Sequence, residues 1–349
     1  MVKSTSNPFV TILVPCRNEV RYIDGCLLSI LANTYDKNLM EVLVIDGLSD
    51  DGTRKEVERI AADHPSVRLV DNPKRTTPAA LNVGIHQAKG DVLIRMDAHA
   101  TYPSDYISRL VDWQRITEAD NVGGIRIAVA ADRTPMATAI ACGVSHPFGI
   151  GTSNYQIGLT EPKWVDTVWG GCFKKELFET IGLFDEQFIR NQDDEFNHRL
   201  IAKGGRVLLV PDVHAFYVAR NSLFKLWRMY YQYGYFKPLT AHKLGRVMTI
   251  RQLAPAAMVM VGALSLALAL CFPKSLFLFL GLALTYLIAS LALGVQIGGK
   301  KGWLCGLWMP VVFPTIHLSY GIGFLQGALT FWFLPKQGVV DMTATPLSR

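Results

Sequence analysis

Short apolar runs alternate with amphipathic stretches through the first hundred residues. Residues 9–14 (FVTILV), closed by Pro15, read as a buried strand, as do 41–46 (EVLVID), 67–70 and 91–96. Between them, apolar positions at helical spacing predict helices over 20–31, from the turn-rich GLSDDGT segment to Ala61, and over 77–88. Strands apolar on both faces, each followed by a helix, predict a parallel sheet covered on both sides. Further along, the pattern predicts a strand over 121–129 and a helix then a Gly-rich loop over 135–151. A strand over 167–173 enters the Gly170-Gly171 pair, and a helix begins near Lys174. A last helix opens at Asp193-Asp194-Glu195 and stops at Gly204-Gly205.

After residue 221 the pattern changes. Residues 222–251 mix aromatic with basic side chains, among them Trp227, Tyr230, Tyr235, Arg228, Lys237, Arg246 and Arg251, which suits an interfacial amphipathic segment. Residues 253–272, 275–297 and 303–333 are then each apolar and long enough to span a bilayer, the last with Pro310 and Pro314 inside it. Basic residues before the first stretch, with Lys300 and Lys301 between the second and third, predict that those ends face the cytoplasm. Three crossings would leave the C-terminus, Arg349, outside.

The totals agree with this division. The 349 residues are 50% apolar with mean hydropathy +0.22, and most of the excess lies after residue 252. A formal charge of +6 is too small to argue for nucleic acid as a partner. The six cysteines are scattered without a C-x-x-C pair and read as buried thiols in a reducing compartment. The first apolar run is too short for a signal peptide, so the first part of the chain is expected in the cytoplasm.

Candidate chemistry gathers at strand ends. Asp97 and His99 sit two apart where the 91–96 strand stops, so a carboxylate and an imidazole share one direction. In an open parallel sheet ligands sit just beyond this end. The pair suits Mg²⁺ or Mn²⁺ with phosphate oxygens completing the shell; a helix N-cap Asp beside a solvated His fits the same letters. Asp46 ends the second strand and fits either a ligand contact or a turn. No G-x-G-x-x-G follows the first strand, which argues against a dinucleotide site. The Gly pair permits close backbone approach to a ligand, or a tight turn. The three acids 193–195 suit a helix dipole, and exceed what a cap needs; one can serve as a general base.

Taken together, these segments resemble inverting family 2 glycosyltransferases with the GT-A fold, over roughly residues 8–240. Within that family they are most similar to the membrane-attached ExoA-like, succinoglycan-type exopolysaccharide group. VPCRNE (14–19) is similar to the opening P-x-[YR]-N-E, and IDGLSDDGT (45–53) to V-D-D-G-S-x-D-G-T, with Gly47 replacing the second Asp. ALNVGIHQAKGDVLIRMDAH matches the run that ends in D-x-[DH], WGGCFKKELFETIGLFDE the Gly-Gly…Gly-x-F-D-E segment, and QDDEFNHRL the motif E-D-x-[DE]-[LF]-x-x-R, with Gln192 where Glu is usual. The Q-x-x-R-W motif of processive synthases is not evident.

The resemblance implies a GT-A-like, doubly wound, mostly parallel α/β domain over 1–220, an interfacial segment over 221–252 and a transmembrane region over 253–349. It implies a metal, Mg²⁺ or Mn²⁺, at Asp97 and His99, and a base at Asp193, with Asp194 second. Pro15, Arg17, Glu19, Asp46 and Asn82 would serve the nucleotide-sugar, as would Asp97, Gly170, Gly171 and Arg199. The activity implied is transfer of a hexose, such as glucose, from a UDP-sugar to a polyprenyl-diphosphate-linked oligosaccharide in exopolysaccharide or surface-glycan synthesis. The enzyme would be a multi-pass protein of the inner membrane with a cytoplasmic catalytic domain. Two alternatives carry different chemistry: a polyprenyl-phosphate sugar synthase, and a membrane transporter or scaffold with a nucleotide-sensing domain. The apolar stretches hold His317 but no Asp, Glu or Arg, which argues against an ion-coupled pathway.

Overall fold

The computed structural model describes residues 7–245 and 250–333. By packing, these fall into two compact units, 7–127 with 154–217, and 128–153 with the described residues from 218 onward.

The first unit begins as the hydrophobic pattern predicts. β1 (Val10–Cys16), α1 (Ile23–Leu31), β2 (Met40–Asp46), α2 (Thr53–Asp63), β3 (Val67–Asp71), α3 (Thr77–Gln87) and β4 (Val92–Arg95) alternate along the chain. The strands lie side by side in the order β3-β2-β1-β4, all parallel, with every residue of β2 and β4 buried. Apolar side chains on both faces demand cover on both faces, and the crossover helices supply it.

Beyond β4 the expectation of a mostly parallel sheet fails. The chain continues through β5 (Ala100–Thr101), α4 (Tyr106–Thr117) and β6 (Asn121–Val129), then α5 (Pro135–Gly143) and α6 (Pro147–Ile150). It returns through α7 (Asn154–Ile157), β7 (Lys163–Trp164), β8 (Gly171–Lys174), α8 (Leu177–Ile181), α9 (Gln192–Ala202) and β9 (Val207–Val218). β8 runs antiparallel to β4, β6 antiparallel to β8, and β5 and β7 antiparallel to β9. The sheet is therefore mixed, in the order β3-β2-β1-β4-β8-β6-β9-β5 with β7 on β9. The second half of β9 alternates buried with more exposed positions, the mark of a one-faced antiparallel strand.

Packing sets the helix that matters most for the site. Phe196 of α9 is fully buried, its ring stacked on Phe184 at 4.6 Å and perpendicular to Phe173 at 5.5 Å. Burying a phenyl group contributes about 1.5–3 kcal/mol. Asn197 adds polar ties, accepting from Asn121 at 2.7 Å and donating to Thr167 at 3.1 Å. Together these fix the start of α9 against β6 and β8.

In the second unit, α10 (Leu223–Leu244) is one helix capped by Ser222, followed by α11 (Ala254–Ala269) and α12 (Ser275–Lys301). α13 (Trp303–Ala328) holds Pro310 and Pro314 and continues as a π-helical turn, Leu329–Phe333. Residues 128–153, expected within the catalytic domain, pack here: Ile140 of α5 shares a buried cluster with Val312, Phe313 and Ile316 of α13. The aromatic and basic stretch expected at an interface forms α10, which lies along α13. Trp332 donates to the Pro238 carbonyl at 3.0 Å, and Tyr231 donates to Gln326. Arg246 lies outside the described residues, as does the C-terminal Arg349.

Among the described residues two helices, not three, have the length and apolarity to cross a membrane: α12, at mean hydropathy 2.4, and the 303–333 stretch, at 1.2. α12 buries almost none of its apolar stretch, whereas α13 buries nearly half. The crossing expected over 253–272 is realised as a helix of 16 residues, about 24 Å long against a hydrocarbon core of roughly 30 Å. The helix stops at Ala269, and residues 270 and 271 form a turn ahead of Pro273.

α10 and α13 approach closely at glycines. A methyl group at Gly323 would run into the Tyr231 carbonyl, and one at Gly327 into that of Tyr235. Gly323→Ala must push the helices apart, and overpacking of this kind costs about 1–3 kcal/mol. We expect a lower denaturation midpoint for Gly323→Ala in detergent, compared with a control Gly281→Ala, where a methyl group meets open space.

Candidate active site

The carboxyl end of β4 carries the chemistry. Arg95, its last residue, is only 6% exposed, an unusual place for a guanidinium unless it is paired. It is paired twice. Nε donates to Asp97 Oδ1 at 2.9 Å, and Nη1 donates to Asp193 Oδ1 at the start of α9. Asp97 and Asp193, read from the sequence as metal ligand and base, are thus joined through one side chain. Among the described residues, the second oxygen of each carboxylate accepts no hydrogen bond. The Asp97 side chain is 11% exposed and that of Asp193 19%, enough for a small ligand to reach both.

Their proton affinities diverge. Burial alone would raise the Asp97 carboxyl, but Arg95, His99 and Arg126 outweigh it and hold it below the usual range. For Asp193, burial dominates, reinforced by Asp97 and Asp194, and pushes the carboxyl up to about 6 against the pull of Arg95. A carboxylate poised there suits a general base near neutral pH.

His99 stands beside the same strand end. Its Nδ1 lies 3.0 Å from Glu19 Oε1, at the end of the loop after β1. An ionised carboxylate only accepts, so Nδ1 carries a proton toward Glu19; in the neutral imidazole this would leave Nε2 as the nitrogen available to a metal. The His99 ring packs edge-on against Tyr217 at 5.0 Å, and Arg126 lies 4.6 Å over that tyrosine. A carboxylate and an oriented imidazole fit a divalent cation as two of its donors. No group of three His, Cys, Asp or Glu converges among the described residues, so a cation here would take its other donors from phosphate oxygens and water.

Other expected site residues are committed within the fold. Asp46 is fully buried and accepts from Ser49 N at 2.9 Å, Ser49 Oγ at 2.5 Å, Arg54 at 2.9 Å and the Cys16 thiol at 3.6 Å. Asn82 bonds Phe184 with both ends of its amide, at 2.9 and 3.0 Å, and reaches Glu186 at 3.2 Å. Arg199 braces α9: it grips Glu195 and donates to the Ile181 and Leu183 carbonyls at 2.6 and 2.8 Å. Gly170 and Gly171 have φ of +74° and +126°, and their close approaches are internal. A Cβ at Gly170 would stand 3.1 Å from the Arg95 carbonyl, and one at Gly171 2.5 Å from Asn121. Pro15 lies in β1, and Arg17 lies against Gly47 at the ends of β1 and β2. Asn191 takes the helix-cap position of α9, so Asp193 and Asp194 fall in its first turn and neither is the cap.

Sequence reading passed over Arg95, Arg54 and Tyr217. For Arg95 a signal existed: a charged residue closing an otherwise apolar, fully buried strand.

A mixed sheet with a carboxylate and imidazole at the end of β4 and a helix-borne acid beside them is the arrangement of a GT-A glycosyltransferase. The Glycosyl transferase family 2 profile matches residues 11–182. The succinoglycan biosynthesis protein ExoA of Rhizobium meliloti (strain 1021) is 30% identical over 336 residues, covering 92% of this chain and 95% of that one. The dolichyl N-acetyl-alpha-D-glucosaminyl phosphate 3-beta-D-2,3-diacetamido-2,3-dideoxy-beta-D-glucuronosyltransferase of Methanococcus voltae is 31% identical, covering 67% of this chain and 74% of that one. Among solved structures, the mannosyltransferase PcManGT from Pyrobaculum calidifontis, in complex with GDP-Man and Mn²⁺, shares the fold at TM-score 0.57 and 21% identity. That match covers 90% of this chain and 88% of the other. The chain belongs to glycosyl transferase family 2.

Proposed function

We propose that this protein is an inverting, membrane-attached transferase. It moves a hexose, such as glucose, from a UDP-sugar to a polyprenyl-diphosphate-linked oligosaccharide in the synthesis of an exopolysaccharide or surface glycan. One observation carries the reading: a base-like carboxyl, Asp193, stands one guanidinium away from the carboxylate–imidazole pair. The lipid-linked acceptor draws support from the names of the two relatives, one a succinoglycan biosynthesis protein and one acting on a dolichyl phosphate sugar. The apolar helices are consistent with an acceptor that stays in the membrane.

In this reading the donor nucleoside lies over the ends of β1 and β2, near Arg17 and the Asp46–Arg54 pair. Its diphosphate extends toward Asp97 and His99. A divalent cation held there would neutralise charge developing on the leaving diphosphate. Asp193 takes the proton from the acceptor hydroxyl through its second oxygen. The new C–O bond forms on the face of the anomeric carbon opposite the diphosphate, which departs with the bonding electrons. Attack from that face inverts the centre, so an α-linked donor gives a β-linkage.

The base assignment is tested with Asp193→Asn and Asp194→Asn in one detergent preparation. A general base contributes about 10²–10⁴-fold, so Asp193→Asn lowers kcat by that range while nucleoside-diphosphate affinity stays near that of the parent; thermal stability falls, because Arg95 loses one of its two charged partners. Asp194→Asn loses less rate. Because the base acts ionised, kcat of the parent rises as pH passes upward through about 6 and then levels. Near-normal turnover in Asp193→Asn moves the base elsewhere.

Chelator should abolish transfer, and Mn²⁺ or Mg²⁺ should restore it. Full turnover in excess chelator removes the metal from the mechanism.

For topology, Lys300 and Lys301 at the end of α12 support a cytoplasmic position for that end, on the same side as the catalytic unit. This arrangement needs the α11 region, extended by its flanking residues, to cross as well, so a reporter fused after Arg349 should read as external. A cytoplasmic reporter would leave an even number of crossings.

A further inference from the structure

The Arg95 guanidinium does more than neutralise buried charge. It rises from the β4 backbone, which pairs Arg95 with Gly171 of β8 in antiparallel register. The adjoining Gly170 lies so close to the Arg95 carbonyl that a methyl group there would stand 3.1 Å away. The strand end is therefore held tightly, and the side chain above it is 6% exposed. Two nitrogens of this planar fork, Nε and Nη1, each hold one oxygen, Oδ1, of Asp97 and Asp193. The two acids come from separate elements, the turn after β4 and the first turn of α9. Within that fork their separation cannot change without breaking a charge-assisted hydrogen bond. Among the described residues, the second oxygen of each acid is left open to a ligand.

The geometry points to Arg95 as the positioning residue of this active site. It acts as a fixed spacer, setting the distance and orientation of the Asp193 base relative to the Asp97 side, where the leaving group is held. A lysine cannot replace it, because a point charge on a flexible stem cannot hold two carboxylates in one plane. The inference rests on the assignment of Asp193 as base.

The two ideas separate in one set of variants. Arg95→Met, Arg95→Lys, Asp193→Asn and the double variant Arg95→Met with Asp193→Asn are compared for kcat, for donor KM and for Mn²⁺ affinity measured by electron paramagnetic resonance without acceptor. Misplacing a catalytic group by about 1 Å costs about 10²-fold, so Arg95→Met should lose about that in kcat, and Arg95→Lys should fall between it and the parent. Mn²⁺ affinity should hold or tighten in Arg95→Met, because a competing cation has left Asp97. A general collapse of the site would weaken metal binding and kcat together, and that outcome overturns the spacer role. In the double variant, kcat should equal that of Asp193→Asn alone, since a spacer has no effect once the base is gone. Multiplying losses, or a kcat in Arg95→Met within threefold of the parent, also overturns it. If Arg95→Met does not fold, Arg95→Lys carries the same comparison, with a kcat equal to the parent's as the overturning result. Normal turnover in Asp193→Asn, by contrast, rejects the base assignment itself.

Discussion

A guanidinium, two carboxylates and an imidazole, all largely buried, gather at the carboxyl end of β4. Burying charge in a folded protein is unfavourable unless each charge is paired in good geometry. The surrounding architecture can be read as the means of pairing them. Asp97 and Asp193 share Arg95, and His99 leans on Glu19. β8 must pass close to the Arg95 backbone, which only glycines at 170 and 171 permit at their positive φ. The aromatic cluster around Phe196 then seats α9 so that its first turn arrives at the fork.

That arrangement also divides two chemically similar acids. Asp97 stays ionised under the field of Arg95, His99 and Arg126, whereas burial and neighbouring acids raise Asp193 toward neutrality. One carboxylate is thereby suited to a cation and the other to a proton, from one residue type and one shared partner.

The second unit obeys a different solvent. Its outer helix, α12, leaves its apolar side chains outside the fold, while α10 and α13 pack backbone to backbone at glycines. Where side chains gain little from leaving an apolar medium, close van der Waals approach holds helices together. The aromatic girdle of α10 serves both purposes, with Tyr231 and the Pro238 carbonyl bonded to α13.

The hydrophobic pattern by itself determined the parallel half of the sheet, because β1, β2 and β4 are buried on both faces and helices alternate with the strands. It also determined the apolar C-terminal region, while the spacing of Asp97, His99 and Asp193 marked them as candidates for the chemistry. It did not determine the antiparallel half, since β8 has only four residues and β9 shows its alternation over only part of its length. Nor did it fix the true length of α11, which stops at Ala269, short of the expected end at 272. Tertiary structure decided which polar residues serve the fold: Asn82 and Arg199 match family motifs, yet their donors and acceptors are taken up by backbone and neighbouring side chains. It alone joined Arg95 to Asp193, 98 positions apart in the chain. The physical reason is range: hydrophobic periodicity is written in near neighbours, whereas the pairing of buried charges is settled by whatever elements the packed core brings together.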